Sequence, residues 1–382
     1  MRYDSARLAV FLPEQGRRRR DMDAPFLSLV LLLLVFGVVM VLSSSYARAY
    51  YDPSGVTGGR AGYYFVKQLV FAVLGVFAML LCSRLPMEIY RRYSPHFLGL
   101  ALLLLLLVPL IGVEANGSRR WLELGGQTLQ PSELAKLAVI LFFSLMICRF
   151  RSRMRSFRYG ILPFVAVLAL IVGLLILEPH FSASIIIVAV GAVMMFLGGA
   201  SLGWFVAAIA AAAGAITVLL TFFPYASSRI NTWRDPFSNA SDEGYQIIQS
   251  LYSIGSGGLS GLGLGGSRQK FLYLPEEHND FIFSVLCEEL GFIGAVLVLV
   301  LFAMLIFRGY WIALHSKDCF SFLVCSGIST LLAIQVFLNV AVVTNLVPCT
   351  GISLPFFSYG GTALLIQMGE MGVILSASRE NT

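Results

Sequence analysis

Residues 24–46 read APFLSLVLLLLVFGVVMVLSSSY, an uncharged and mostly apolar stretch. A membrane-spanning helix needs about 20 such residues, so this stretch is long enough to cross a bilayer. Arg17–Arg20 precede it and Ala47-Arg48-Ala49 follows it, which resembles the parts of a cleaved signal peptide. The apolar core of a signal peptide, however, has only about 7–15 residues. We therefore interpret the stretch as an uncleaved membrane anchor.

The rest of the chain repeats this pattern. Ten segments in all meet or approach the length of a span; they are Ala24–Tyr46, Val66–Cys82, Phe97–Val113, Pro131–Cys148, Ile161–Leu177, Phe181–Gly199, Leu202–Phe223, Phe281–Phe307, Phe320–Leu346 and Leu354–Ser376. The fourth is the least apolar because it carries Glu133 and Lys136. The second is short unless Lys67 extends its amine to the interface. The sequence predicts an all-α polytopic membrane protein with ten transmembrane helices.

The composition excludes the other broad classes of protein. The chain has 382 residues, of which 58% are hydrophobic and 13% are charged, whereas a soluble domain has about 25% charged residues. The net charge of +6 comes from short basic runs between apolar segments, which is typical of cytoplasmic anchors and not of a nucleic-acid surface. None of the six cysteines forms a CxxC pair, so we expect neither a disulfide framework nor a cysteine metal site.

The distribution of basic residues predicts the orientation. Ten spans place both termini on one side, and that side then holds 17 of the 27 Lys and Arg residues. This bias predicts cytoplasmic termini, with a basic tail over residues 1–23, a membrane domain over 24–376 and a second tail over 377–382. Residues 224–280, between spans seven and eight, form the one long extracytoplasmic loop. Within it, Tyr245–Tyr252 could form an interfacial helix.

Three polar groups fall at the predicted outer side, where ionisable residues near a membrane usually serve a function. The first is NGSRRW followed by QPSELAK. Pro131 is typical of a helix start, and Glu133 and Lys136 are spaced to pair on one face. Arg119 and Arg120 add guanidinium groups suited to phosphate. The alternative interpretation is a helix start with a local ion pair.

The other two groups lie in a turn and at the end of the long loop. Glu178 and His180 lie in the EPHF turn between spans five and six, either as a surface turn or as cavity lining. PEEHND crowds Glu276, His278, Asp280 and a further carboxylate into five residues. Crowded carboxylates beside apolar walls have displaced pKa values, as a general base requires. The alternative role for Asp280 is the N-cap of the eighth span.

Other polar or glycine-rich features leave alternatives open. The run Gly255–Gly266 contains a GxGxxG match, but it follows no βαβ strand and falls on the predicted outer side, which argues against a dinucleotide site. Its glycines allow close backbone approach to a ligand or to another helix. Glu288, Glu289 and Glu370 fall in or near later spans, either as structural partners of polar groups or as cavity lining.

Long ordered stretches carry a resemblance to a known family. NGSRRW with QPSELAK, the segment GYQIIQSLYSIGSGGLSGLGLGGSRQKFLYLPEEHNDFIFSVLCEELG, and TGISLPFFSYGGTALL resemble the SEDS family (shape, elongation, division and sporulation), which includes FtsW, RodA and SpoVE. The resemblance covers nearly the whole chain. The N-terminal anchor and the NGSRRW loop are more similar to FtsW and SpoVE than to RodA.

The resemblance implies a peptidoglycan glycosyltransferase of the bacterial cytoplasmic membrane with ten spans and both termini inside. Its substrate would be lipid II, and its partner a class B penicillin-binding protein, a single-span transpeptidase. The family's essential aspartate corresponds to Asp280, and its QPSExxK motif to Glu133 and Lys136. Many relatives have an acidic residue where this chain has His180.

The implied reaction joins the 4-hydroxyl of N-acetylglucosamine to the anomeric carbon of N-acetylmuramic acid, with undecaprenyl diphosphate leaving. An inverting displacement needs a base at the acceptor and cations at the leaving group. We assign Asp280 as the base. The predicted substrate-binding residues are Arg119, Arg120, Glu133, Lys136, Glu178, Arg229, Arg234, Glu276 and His278. A divalent cation, Mg²⁺ or Mn²⁺, could assist, but no ligand set is readable.

Two other functions compete with polymerisation of lipid II into a growing glycan in division or sporulation. One is a lipid II flippase, which needs a polar path that reaches both faces of the membrane. The candidate polar groups lie almost entirely at the outer side, which favours chemistry there. The other is a non-catalytic scaffold that recruits a transpeptidase.

Overall fold

The computed structural model describes residues 21–52, 55–115, 118–210, 214, 231–240 and 244–380. Within these ranges the chain forms long helices and one small sheet. The helices are α1 (Ala24–Tyr50), α2 (Tyr63–Cys82), α3 (Met87–Ile111), α4 (Pro131–Phe150), α5 (Leu162–Leu177), α6 (Phe181–Leu197), α7 (Tyr245–Ser256), α8 (Ile282–Leu314), α9 (Cys319–Val343) and α10 (Gly361–Glu380). The strands are β1 (Val113–Ala115), β2 (Ser118–Leu124) and β3 (Gln127–Leu129).

The helices make this a multi-pass membrane protein. Six described helices are long and apolar enough to span a membrane: α1, α2, α3, α5 with its preceding π-helical turn, α8 and α9. Helix α6 is apolar but shorter, and α4 and α10 carry ionisable side chains. The predicted span Leu202–Phe223 is helical over residues 202–210, but most of the rest lies outside the described residues. The count of ten spans stays a prediction.

The prediction of an all-α protein is wrong between α3 and α4. A three-stranded antiparallel sheet in the order β1–β2–β3 connects these helices. Gly125 and Gly126 turn β2 into β3, and both have positive φ angles, 60° and 77°. A two-residue hairpin turn favours this conformation because it matches the twist of the strands. The Gly-Gly pair was therefore a readable hairpin signal within an otherwise helical sequence.

The last predicted span also begins later than expected. Residues 351–360 are not helical, and α10 starts at Gly361 instead of Leu354. Pro355 has no N–H to give to a helix, and Phe356 has a φ of 64°. A Cβ at Gly37 in α1 would collide with the Phe356 carbonyl, so this segment packs directly on the α1 backbone.

Both ends of the described membrane domain lie at the same end of the bundle. The Asp23 amide, just before α1, donates to Ser378 Oγ in α10 at 3.3 Å. Arg308 in α8 donates to both carboxylate oxygens of Asp23, at 3.0 and 2.8 Å. This arrangement is what termini on one side of the membrane require. That this side faces the cytoplasm stays a prediction, and Arg17–Arg20 lie outside the described residues.

The glycine-rich run, residues 255–266, forms backbone hydrogen bonds with a kink in α8. Gly291 has φ 66° and ψ −170° inside the helix, which frees backbone groups that must find partners within the protein. Four hydrogen bonds supply them: Leu262 N to Glu288 O at 3.0 Å, Gly263 N to Glu289 O at 2.9 Å, Phe292 N to Gly258 O at 2.9 Å and Ile293 N to Leu259 O at 3.1 Å. Of the two alternatives for these glycines, the structure shows approach to another helix.

Buried carboxylates anchor the same run. Glu289 accepts from Lys270 Nζ at 2.8 Å and from Ser43 Oγ at 2.7 Å. Glu288 accepts from Ser267 Oγ at 2.6 Å and from the Arg268 amide at 2.9 Å. Both carboxylates are completely buried, so they act as structural partners of polar groups.

We predict that Gly261→Ala destabilises the protein by at least about 2 kcal/mol. Gly261 has a φ of 77°, which costs an L-residue about 1–2 kcal/mol, and a Cβ there would collide with the Glu289 carbonyl. The matched control is Gly255→Ala, where a Cβ meets nothing within 4 Å. Thermal unfolding in detergent should show a lower Tm for the first variant alone. Equal Tm values for both variants would contradict this account of the kink.

Candidate active site

A cavity of about 470 Å³ opens where the predicted outer segments converge. The sheet, the start of α4, the turn before α6, the PEEHND segment and residues 351–363 all contribute to its wall. Five predicted site residues line it together: Arg120, Glu133, Lys136, Glu276 and Asp280. Residues more than 100 positions apart in the sequence thus share one polar space.

Four other predicted residues lie away from the cavity wall. Successive side chains of a strand point to opposite faces, so Arg119 turns away from Arg120 and contacts Glu114, with Nε 3.6 Å from Oε2. Glu178 is buried behind the turn, and Arg234 is exposed on a short helical turn. His278 packs between two tyrosines. The predicted residue Arg229 lies outside the described part of the chain.

Asp280 lies against a glycine and is not the N-cap of α8. Phe281 occupies the cap position and makes no side-chain cap bond. A Cβ added to Gly351 would lie 3.0 Å from Asp280 Oδ2, so only a glycine leaves ordinary space for the carboxylate. The pKa of Asp280 is raised to about 7, mainly by burial and also by the neighbouring Glu276, while Arg120 opposes the shift. A carboxyl that is partly ionised at neutral pH suits a general base.

Side chains of α1 and α2 hold the segment that carries Asp280 in place. Arg48 Nε donates to Glu277 Oε1 at 3.0 Å, and Glu277 is completely buried. The His278 ring lies 4.8 Å from the Tyr64 ring and 5.7 Å from the Tyr359 ring, between centroids. His278 therefore packs the segment against its neighbours instead of facing the cavity.

Three basic side chains of the described residues line the cavity. Lys136 Nζ lies 2.7 Å from the Glu133 carboxylate, with only 3% of the lysine side chain exposed, which confirms the predicted pair. Arg120 Nη2 donates to Pro179 O at 2.7 Å. The third cation, Lys67, was expected only to reach the interface. It lines the cavity, with its amine 4.6 Å from the centre of the Tyr63 ring.

His180, which follows the Glu178-Pro179 pair, has an uncharged side chain. His180 lines the cavity, and its Nε2 lies 3.4 Å from Gln130 Nε2. Burial, together with the nearby charges of Arg120 and Lys136, lowers the pKa of His180 to about 3, so the imidazole is uncharged. Burial also raises the pKa of Glu178 to about 8 against the influence of Arg120. At pH 7 His180 is therefore uncharged and Glu178 is mainly protonated.

Several residues that line the cavity come from segments that the sequence predicts to be transmembrane spans, so the sequence did not identify them as site residues. Gln335 comes from α9, and Tyr359 comes from the segment before α10. Burial raises the pKa of Tyr359 to about 12, so its hydroxyl stays protonated and can donate. Glu370, left open above, lines a smaller neighbouring cavity of about 40 Å³ together with Glu133 and Gln335. Polar residues inside apolar segments were the available signal.

Metal ligands are not preassembled in the described ranges. They contain no group of three or more His, Cys, Asp or Glu side chains placed to hold an ion. Of the carboxylates in the cavity wall, Glu133 is already paired with Lys136, which leaves Glu276 and Asp280. The described residues do not fit a metal site built from protein ligands alone.

The fold and the cavity define an integral membrane protein with a charged, partly buried site at one end of its helical bundle. The family model FTSW_RODA_SPOVE, described as "Cell cycle protein", matches residues 24–382. The chain belongs to this family.

Curated relatives and solved structures agree with that assignment. Stage V sporulation protein E of Bacillus subtilis is 39% identical, over 95% of this chain and 98% of the relative. A probable peptidoglycan glycosyltransferase FtsW of Trichlorobacter lovleyi is 38% identical, over 94% of each chain. A chain from a peptidoglycan synthase complex has a TM-score of 0.76 at 30% identity, over 94% of this chain and 98% of that chain. RodA of Thermus thermophilus has a TM-score of 0.67 at 27% identity, over 94% and 97%.

Proposed function

We propose that this protein is a peptidoglycan glycosyltransferase that polymerises lipid II into β-1,4-linked glycan at the outer face of the bacterial cytoplasmic membrane. Its proposed role is in division or sporulation, since SpoVE and FtsW are among its relatives. One observation carries the proposal: a half-buried Asp280 carboxyl with a pKa of about 7 shares a cavity with Lys67, Arg120 and Lys136.

In the proposed reaction, the Asp280 carboxyl and the basic side chains of the cavity have different roles. Asp280 takes the proton from the 4-hydroxyl of the acceptor N-acetylglucosamine as the oxygen attacks the anomeric carbon of N-acetylmuramic acid. The bond to undecaprenyl diphosphate breaks as the new bond forms, so the configuration inverts. Negative charge then grows on the leaving diphosphate, and cations fixed beforehand in the cavity stabilise it.

The diphosphate is bound by cations that line the cavity. Arg120 offers a planar guanidinium suited to phosphate oxygens. Lys136 adds a buried charge, although Glu133 neutralises part of it. Lys67 adds a third charge from its position in the cavity wall. The described residues form no metal site of their own.

The distribution of polar groups supports chemistry at the outer face over lipid II transport. Below Lys136, α4 buries an unbroken apolar run, residues 137–141, whereas a flippase needs a polar path to both faces. Vesicles that contain the purified protein and lipid II should accumulate glycan polymer. Translocation of labelled lipid II without polymer would instead favour a flippase. If this protein made no polymer and only an added transpeptidase were active, a non-catalytic scaffold would be favoured.

We propose a class B penicillin-binding protein as the partner of this chain. The peptidoglycan synthase complex among the similar structures supports an assembly with a second component. Co-purification of such a transpeptidase, and a comparison of lipid II polymerisation with and without it, tests the proposal.

We predict that the polymerisation rate rises with pH between about 6 and 8, with a midpoint near 7. Asp280 must be ionised to accept a proton, and its raised pKa of about 7 keeps it largely protonated below that value. Initial rates at saturating lipid II measure the profile. Glu276→Gln should move the midpoint to lower pH, because the neighbouring carboxylate raises the pKa of Asp280. A rate independent of pH over this range would contradict the assigned base.

A further inference from the structure

The backbone of the PEEHND segment is held at three successive residues. Each carbonyl of residues 278–280 accepts a hydrogen bond from a different donor: Tyr359 N to His278 O at 2.9 Å, Ser358 Oγ to Asn279 O at 2.8 Å and Asn339 Nδ2 to Asp280 O at 2.8 Å. These carbonyls precede α8 and belong to no regular element of their own. The donors come from the segment before α10 and from α9.

The two side-chain donors also bind the segment that faces Asp280. Asn339 is completely buried, and its Nδ2 donates a second bond to Ile352 O at 2.6 Å. Ser358 Oγ accepts from the Leu354 amide at 2.7 Å. Each side chain therefore joins the Asp280 backbone to residues 351–358, which include the glycine that the carboxylate touches.

We propose that Asn339 and Ser358 are positioning residues that fix the Asp280 carboxylate within the cavity. This inference rests on the proposed function, because it assigns them to the same reaction. With three carbonyls held, the Asp280 side chain can move only about its own torsions. A displacement of about 1 Å at a reacting group can cost a hundredfold in rate.

The protonation of Asp280 reports its position because many charged or titratable groups face the same cavity. Those groups are Lys67 of α2, Arg120 of β2, Glu133 and Lys136 of α4, His180 before α6, Glu276 of its own segment and Tyr359 before α10. Moving the carboxylate changes its distance to each of them and its exposure to water. A shift in its titration therefore separates a change of position from a general loss of stability.

The test uses Asn339→Leu and Ser358→Ala, each of which removes a donor to this segment. For each we expect kcat for lipid II polymerisation to fall at least tenfold, with KM changed less than twofold. Infrared difference spectra against Asp280→Asn follow the Asp280 carboxyl band directly. Its midpoint should shift by at least half a pH unit in both variants. Ser358→Thr, which keeps a hydroxyl donor, should restore the wild-type midpoint.

The matched control is Asn345→Gly. Asn345, just after α9, donates from Nδ2 to Trp233 O at 3.1 Å and has a φ of 57°, which suits glycine. This variant loses a comparable side-chain bond away from Asp280, so kcat and the carboxyl midpoint should stay at wild-type values even where Tm falls.

Two results would overturn the positioning role. One is a wild-type carboxyl midpoint in both Asn339→Leu and Ser358→Ala. The other is an equal shift in Asn345→Gly. If Asn339→Leu does not fold, Ser358→Ala decides alone. If the wild-type protein makes no polymer, the proposed function fails, but the infrared titration still tests the positioning of Asp280.

Discussion

The Asp280→Asn variant is expected to fold normally and to lose at least about a thousandfold in the rate of glycan polymerisation. A positioned general base contributes about 10²–10⁴-fold, and an amide of the same shape cannot accept the proton. The variant should stay folded because an amide resembles the protonated carboxyl, which the site already favours by raising its pKa to about 7. Polymer yield from lipid II in vesicles, together with Tm, measures both expectations.

A carboxylate outside the cavity provides the control for this experiment. Glu114 lies on β1, is exposed and contacts Arg119, so Glu114→Gln should polymerise at the wild-type rate. Asp280→Asn protein that retains more than about a tenth of the wild-type rate would exclude Asp280 as the base. Loss of activity in both variants would point to a requirement for outer-face charge in general.

The sequence predicts most helices because hydropathy is a local property. The α1 stretch and the short amphipathic stretch that became α7 both fold as expected. The pairing of Glu133 with Lys136 was also predictable, since residues three apart on a helix face the same side. The convergence of these elements on one cavity depends on tertiary packing, which local patterns do not contain.

The misses have two physical causes, one local and one long-range. The segment before α10 is apolar enough to read as part of a span, but Pro355 and hydrogen bonds such as Leu354 N to Ser358 Oγ hold it outside the helix. The sequence predicts only an interfacial role for Lys67, because the residues around it in the sequence do not show that β3 and α10 line the same cavity. For Lys67 the deciding partners lie far away in the sequence, whereas Pro355 and Ser358 lie within the segment that they hold.

Lys136→Met is expected to lower both stability and turnover, the latter by at least about a hundredfold. Lys136 is almost fully buried, and its amine lies 2.7 Å from the Glu133 carboxylate. Removing one partner leaves a buried charge uncompensated, which costs about 3–5 kcal/mol. Tm and the initial rate of lipid II polymerisation measure the two losses separately. Lys136→Arg keeps the charge and should retain more of both.

The double variant Glu133→Gln/Lys136→Met separates the two roles that the sequence left open. Without either charge, no unpaired ion remains, so Tm should return towards the wild-type value. If Lys136 binds diphosphate, turnover stays low in the double variant, because a neutral pair cannot stabilise the leaving group. Recovery of turnover together with Tm would reduce the pair to a local structural ion pair. Arg120 and Lys67 would then be the remaining cations in the cavity wall for the leaving group.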